Sequence, residues 1–117
     1  MNMNNSIGTE FDFSKVAETR KDARLLTIGI GGKWHVFPLT TLLNVECEDE
    51  ILRLIFVTHV VVITGKGLGA LIEALGRGIL SSIWQMTEAE VAAAPEGTVT
   101  TRSILVEARR PGKSASV

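Results

Sequence analysis

The chain has 117 residues and a formal net charge of -1, the length of one domain and a balance that sets up no overall field favouring nucleic acid or an anionic membrane. Hydrophobic residues make up 45% of it while only 5% are aromatic and Tyr is absent. The surplus is therefore aliphatic, and burying it is expected to need a second copy, a homodimer first of all. Cys47 is the lone cysteine, which excludes an internal disulfide and a multi-cysteine zinc centre within one chain.

Residues 1–22 read as a polar N-terminal arm. Its first nine residues have neither the basic region nor the apolar stretch of a secretory leader, so a cytoplasmic location is expected. Phe11 and Phe13 are the sizeable apolar anchors of the arm, and their alternation in Glu10-Phe11-Asp12-Phe13 also suits a strand added to a sheet edge, on this chain or a neighbouring one.

A single α+β domain is expected over residues 23–108. Leu25, Leu26, Ile28 and Ile30 suggest a strand, and Gly31-Gly32 supplies the positive φ angles of a tight hairpin. The strand returns through Trp34 to Phe37 and ends at Pro38, which has no N–H to give a ladder. Leu42, Leu43, Val45 and Cys47 continue a β-like pattern as far as Glu46-Cys47-Glu48-Asp49-Glu50, read as a solvated acidic turn with the cysteine as a small buried hydrophobe beside it.

From Ile51 to Ile63, ten of thirteen residues are apolar and most of these are β-branched. The run is too short for a membrane span, which needs about 20 apolar residues, and it contains Arg53 and His59. It reads as core strand, either a hairpin that turns at Thr58-His59 or one bent strand, the hairpin being favoured. Leu52, Leu54 and Phe56 fall on one face, and Ile51, Arg53, Ile55 and Val57 on the other.

Gly65-Lys66-Gly67 ends this region, and Leu68, Leu71, Ile72 and Leu75 have the spacing of a short amphipathic helix closed by Gly76-Arg77-Gly78. A strand over residues 79–84 is expected to put Ile79, Ser81 and Ile83 on one face and Leu80, Ser82 and Trp84 on the other. Thr87 and Glu90 form a capping-box pattern for an Ala-rich helix stopped by Pro95 and Gly97. Residues 98–108 read as a last strand, and 109–117 as a basic, disordered tail. The elements together point to a mainly antiparallel curved sheet or partly open barrel with one amphipathic helix packed on it.

No motif specifies a reaction. The glycines of Gly65-Lys66-Gly67-Leu68-Gly69 lack the spacing and the hydroxyl residue of a phosphate loop, and the chain is too short for paired βαβ halves around a dinucleotide fingerprint. His35, His59, Cys47 and the acidic run show no metal-ligand spacing, so neither a metal nor another cofactor is expected. A histidine-dependent enzyme is the weaker reading, and no catalytic residue is assigned. The expected function is non-enzymatic: self-association together with binding of a protein partner or small apolar ligand, through candidate contacts Trp34, Phe37, His59 and Trp84. The rival is a small barrel that holds single-stranded nucleic acid through basic termini.

Overall fold

A computed structural model describes residues 16–109. Eight strands form two four-stranded sheets: β1 (Ala17–Thr19), β2 (Leu25–Ile30), β3 (Lys33–Pro38) and β7 (Leu80–Trp84) in the first; β4 (Leu42–Glu48), β5 (Ile51–Phe56), β6 (His59–Lys66) and β8 (Thr100–Ala108) in the second. Their orders are β1-β7-β2-β3 and β4-β5-β6-β8. All pairings are antiparallel except β2 with β7, which the chain reaches by crossing through the second sheet and helix α1 (Gly69–Gly76). A second short helix, α2 (Glu88–Ala93), joins β7 to β8. The fold is thus mostly antiparallel β with two short helices.

In place of one curved sheet or partly open barrel there are two separate sheets, and no barrel closes among the described residues. Pro38 ends β3, a 3₁₀ turn at Leu39–Thr41 turns the chain, and β4 opens the other sheet, leaving β1, β3, β4 and β8 as outer strands. One corner is nonetheless stitched. The Met86 N–H donates to the Thr101 carbonyl at 2.9 Å, the Thr101 hydroxyl donates to the Trp84 carbonyl, and the Ile104 N–H donates to Gln85 Oε1 at 2.7 Å.

Alternation explains the core. Leu26, Ile28 and Phe37 from the first sheet meet Leu52, Leu54, Phe56, Val61, Ile63 and Ile104 from the second, with Leu68, Leu71 and Ala74 of the α1 segment joining the same cluster. Ile51, Arg53 and Ile55 are half-buried on the opposite face of β5, as the period of two requires. The run from Ile51 is a hairpin: Ile55 pairs with Val60 and Ile51 with Thr64. At the acidic segment the turn is confined to Asp49-Glu50, with Asp49 left-handed at φ 56°, while Glu46, Cys47 and Glu48 stay in β4. Cys47 is exposed rather than buried, because β4 is an edge strand with little covering it.

The hairpin of β2 and β3 needs one left-handed glycine rather than two. Gly31 has φ 61° and Gly32 is not left-handed, the pattern of a type II′ turn. Helix α1 ends in a complete Schellman motif: left-handed Gly78 donates to the Leu75 carbonyl at 3.0 Å and Ile79 to the Ala74 carbonyl at 3.1 Å. Helix α2 starts with the expected box, Glu90 N–H to Thr87 Oγ1 at 3.1 Å and Thr87 N–H to Glu90 Oε1 at 2.8 Å.

Strict alternation fails in β7. Glu18 pairs with Ser82 but Thr19 with Leu80, so Ser81 is the extra residue of a bulge, and Leu80 and Ile83 both face the core. A second irregularity in β8, where Thr64 pairs with Ser103 but Gly65 with Thr101, turns both Thr101 and Ile104 inward. Beside it Gly65 is obligatory: a Cβ there would lie 1.8 Å from the Thr100 carbonyl oxygen.

Residues on either side of the expected 23–108 segment also take part in the fold. Residues 17–19, read from the sequence as arm, form β1, and Val16 and Ala17 are buried. Arg109, read as tail, donates from its backbone to Thr58 at 2.8 Å and from its guanidinium to the Phe56 carbonyl at 3.0 Å. The suggested edge strand around Phe11 and Phe13 and the tail beyond Arg109 lie outside the described residues.

Two substitutions test this packing. Leu54→Ala should destabilise by about 2–5 kcal/mol, read from the denaturant midpoint, and a negligible shift would show that Leu54 is not core. Gly65→Ala should cost about 3 kcal/mol or more, since backbone must separate to admit the methyl group; wild-type melting would refute the close approach of β6 and β8.

Candidate functional site

The four candidate side chains divide into two groups on opposite sides of the first sheet. Trp34 of β3 and Trp84 of β7 both lie directly opposite Gly29 of β2 in the ladder. Their rings meet over that glycine edge to face, centroids 6.2 Å apart and planes at 85°. Gly29 makes this possible, because an added Cβ would sit 2.6 Å from Trp84 and 2.7 Å from Trp34. An inward side chain at Gly29 is not the issue; its outward side is the floor on which the indoles stand.

The same outward face carries Leu25 and Val36, and these two with Trp34 remain 52%, 53% and 53% exposed. Large apolar side chains clustered on the water-facing side of a sheet are a common feature of interaction surfaces. Towards β1 the face becomes polar, with an open groove of about 700 Å³ lined by Glu18, Arg20, Asp22, Arg24, Ser81 and Ser82 among others. Carboxylates and guanidinium groups occur there together, chemistry that suits a polar partner rather than an apolar ligand or a run of phosphates.

Phe37 and His59 belong to the inner side. Phe37 is 6% exposed and stacks on Phe56 at 4.6 Å and 17°, so it is core and not contact surface. His59 lies against the Phe37 ring at 5.4 Å and His35 stacks on it at 6.4 Å. The Thr58 hydroxyl and His59 Nδ1 are 2.8 Å apart. The two histidines are therefore assembled around an aromatic ring. No group of three or more His, Cys, Asp or Glu able to hold a metal occurs among the described residues.

A second surface emerges on the outer face of the second sheet. The registers set up cross-strand rows Glu46–Arg53–Val62–Leu105 and Asn44–Ile55–Val60–Glu107, with Ile51 and Thr64 in the next row. Ile51, Ile55, Val60 and Val62 are half-buried and Leu105 is 51% exposed. The solvent side of a two-sheet fold is normally polar in alternation. Here the two central strands present mainly apolar residues on both faces. The sequence already displayed the signal, in the near-continuous apolar run from Ile51, but only the strand order shows that Leu105 extends the patch.

No helix among the described residues is long and apolar enough to cross a membrane. Comparison with protein-family models, curated proteins and solved structures gave no match to this chain.

The indole pair has a direct test. Gly29→Val should push the rings apart, with loss of near-ultraviolet tryptophan circular dichroism and a destabilisation of about 1–3 kcal/mol from overpacking. A near-ultraviolet spectrum identical to the wild type would mean that the indoles do not share the Gly29 floor.

Proposed function

We propose that this protein is a non-enzymatic interaction domain that self-associates through the outer face of its second sheet. The observation that carries the reading is the patch of Ile51, Ile55, Val60, Val62 and Leu105 on the outward side of β5, β6 and β8, where solvation alone would favour polar residues. Burying it releases ordered water from apolar surface, the main driving force for association. Homodimer interfaces are correspondingly more apolar than the surface around them.

Charge supports a second copy as the occupant. Arg53 lies amid the patch, while Glu46, Glu48 and Glu107 stand on the flanking strands β4 and β8. A two-fold axis across such a face uses the same residues twice, so the guanidinium of one copy can meet carboxylates of the other at the rim of an aliphatic centre. The opposite face of the molecule, with Trp34 and Trp84, remains available for a protein partner.

The nucleic-acid reading has less to support it. The Trp34–Trp84 face has aromatics to stack a base, but Glu18 and Asp22 offset Arg20 and Arg24 in the adjoining groove, so phosphates gain little.

Self-association is checked by light scattering after size-exclusion chromatography, alongside native mass spectrometry. The wild type should run as a dimer, and Val62→Lys should give a folded monomer, its far-ultraviolet spectrum retained, because an ammonium group would be buried without a partner. A monomeric wild type at micromolar concentrations would sink the proposal.

A further inference from the structure

We infer that the free edge of β3 takes up an extended segment of a partner protein as an added antiparallel strand, one whose side chains alternate apolar and acidic. The hydrogen-bond phase of the β2–β3 hairpin establishes the edge. Its two-residue turn makes Ile30 and Lys33 the closing, mutually bonded pair, so Ile28–His35 and Leu26–Phe37 are bonded as well, while Gly29–Trp34 and Thr27–Val36 are not. The same phase appears on the far side of β2, where the Gln85 N–H donates to the Gly29 carbonyl at 2.8 Å. The backbone N–H and C=O groups of Trp34 and Val36 therefore point out of the sheet at β3, its last strand.

The other outer strands are short or already engaged. β1 has three residues. In β4 the closing pair Glu48–Ile51 sets a phase that turns the Val45 N–H outward, and Asn44 Oδ1 accepts it at 2.9 Å. In β8 the Ile104 N–H donates to Gln85 Oε1 and the Thr101 carbonyl accepts from the Met86 N–H, so residues 85 and 86 occupy part of that edge. The backbone groups of Trp34 and Val36 have no such partner among the described residues. Edges of this kind are the usual template for strand addition.

Alternation then specifies the chemistry of the segment. Trp34 and Val36 present their side chains on the outer face, each 53% exposed, so apolar residues set opposite them complete cross-strand aromatic and β-branched pairs. Lys33 and His35 stand on the other side of β3, and the strand carries no carboxylate. Acidic residues opposite these two complement the ammonium group and the imidazole N–H. Backbone bonds supply the affinity and the alternating side chains the selectivity. The inference rests on the reading of this chain as an interaction domain but not on self-association, which uses the second sheet.

Fluorescence anisotropy with a fluorescein-labelled peptide of three Val-Glu repeats tests it on the full chain. The peptide should bind saturably, and its Val-Lys counterpart about tenfold more weakly. N-methylation of the valine amides, which face β3 in this pairing, should abolish binding, whereas N-methylation of the glutamate amides, which face away, should leave it. Val36→Pro removes an edge donor that the β2–β3 ladder does not use, and it should weaken binding about tenfold while Val36→Ile does not. Absence of binding, the same result for both methylation patterns, or equal affinity for the two peptides overturns the inference. Val62→Lys, which bears on self-association alone, should bind the peptide like wild type; lost binding there would move the peptide to the second sheet and overturn the inference too. A lower molecular mass of Val36→Pro in light scattering would mean that a second copy holds the edge, which also overturns it.

Discussion

The fold depends on the meeting of two inner sheet faces, and its tightest expression is the stack of Phe37 on Phe56 at 4.6 Å. Phe37 comes from an edge strand of the first sheet and Phe56 from the end of a central strand of the second. Around that contact Leu26, Ile28, Leu52, Leu54, Val61 and Ile63 are removed from water completely. Burial of this kind scales with apolar area and offsets the conformational entropy of ordering strands that are far apart in sequence. Because alternation ties each inward residue to outward neighbours, the choice of core also determines both outer surfaces.

Those surfaces differ in kind. On the first sheet, two indoles share the space above one glycine, and the remaining apolar area comes from Leu25 and Val36. On the second, cross-strand rows of Ile and Val surround one arginine, with carboxylates on the strands either side. Aromatic rings supply large contact area with few rotatable bonds, which suits a limited hot spot, whereas aliphatic rows suit packing of one sheet on another. The division of labour proposed for the two faces follows from that difference.

Two backbone irregularities make the architecture possible. The extra residue at Ser81 lets Leu80 and Ile83 both point inward, and the one in β8 does the same for Thr101 and Ile104. Thr101 is thereby brought to the Trp84 carbonyl and Met86 to Thr101, which ties the sheets at one corner. Without side-chain volume at Gly65 the strands β6 and β8 approach closely enough for Lys66 to donate to Thr100 Oγ1 at 3.1 Å.

Local patterns were legible in the sequence wherever a short-range rule governs them. The faces of β5, the hairpin at Gly31-Gly32, the glycine-terminated helix after Leu68 and the Thr87–Glu90 capping box all follow from spacing and from the backbone freedom of particular residues. What depended on pairing between distant segments was not legible: the split into two sheets, the parallel contact of β2 with β7, the exposure of Cys47 on an edge, and the reversal of faces by bulges in β7 and β8. The candidate site divided in the same way. Residue chemistry singled out Trp34 and Trp84, but only the register placed both over Gly29 and sent Phe37 to the interior. Periodicity determines which side chains share a face, whereas hydrogen bonding between strands distant in sequence decides which faces become core and which stay at the surface.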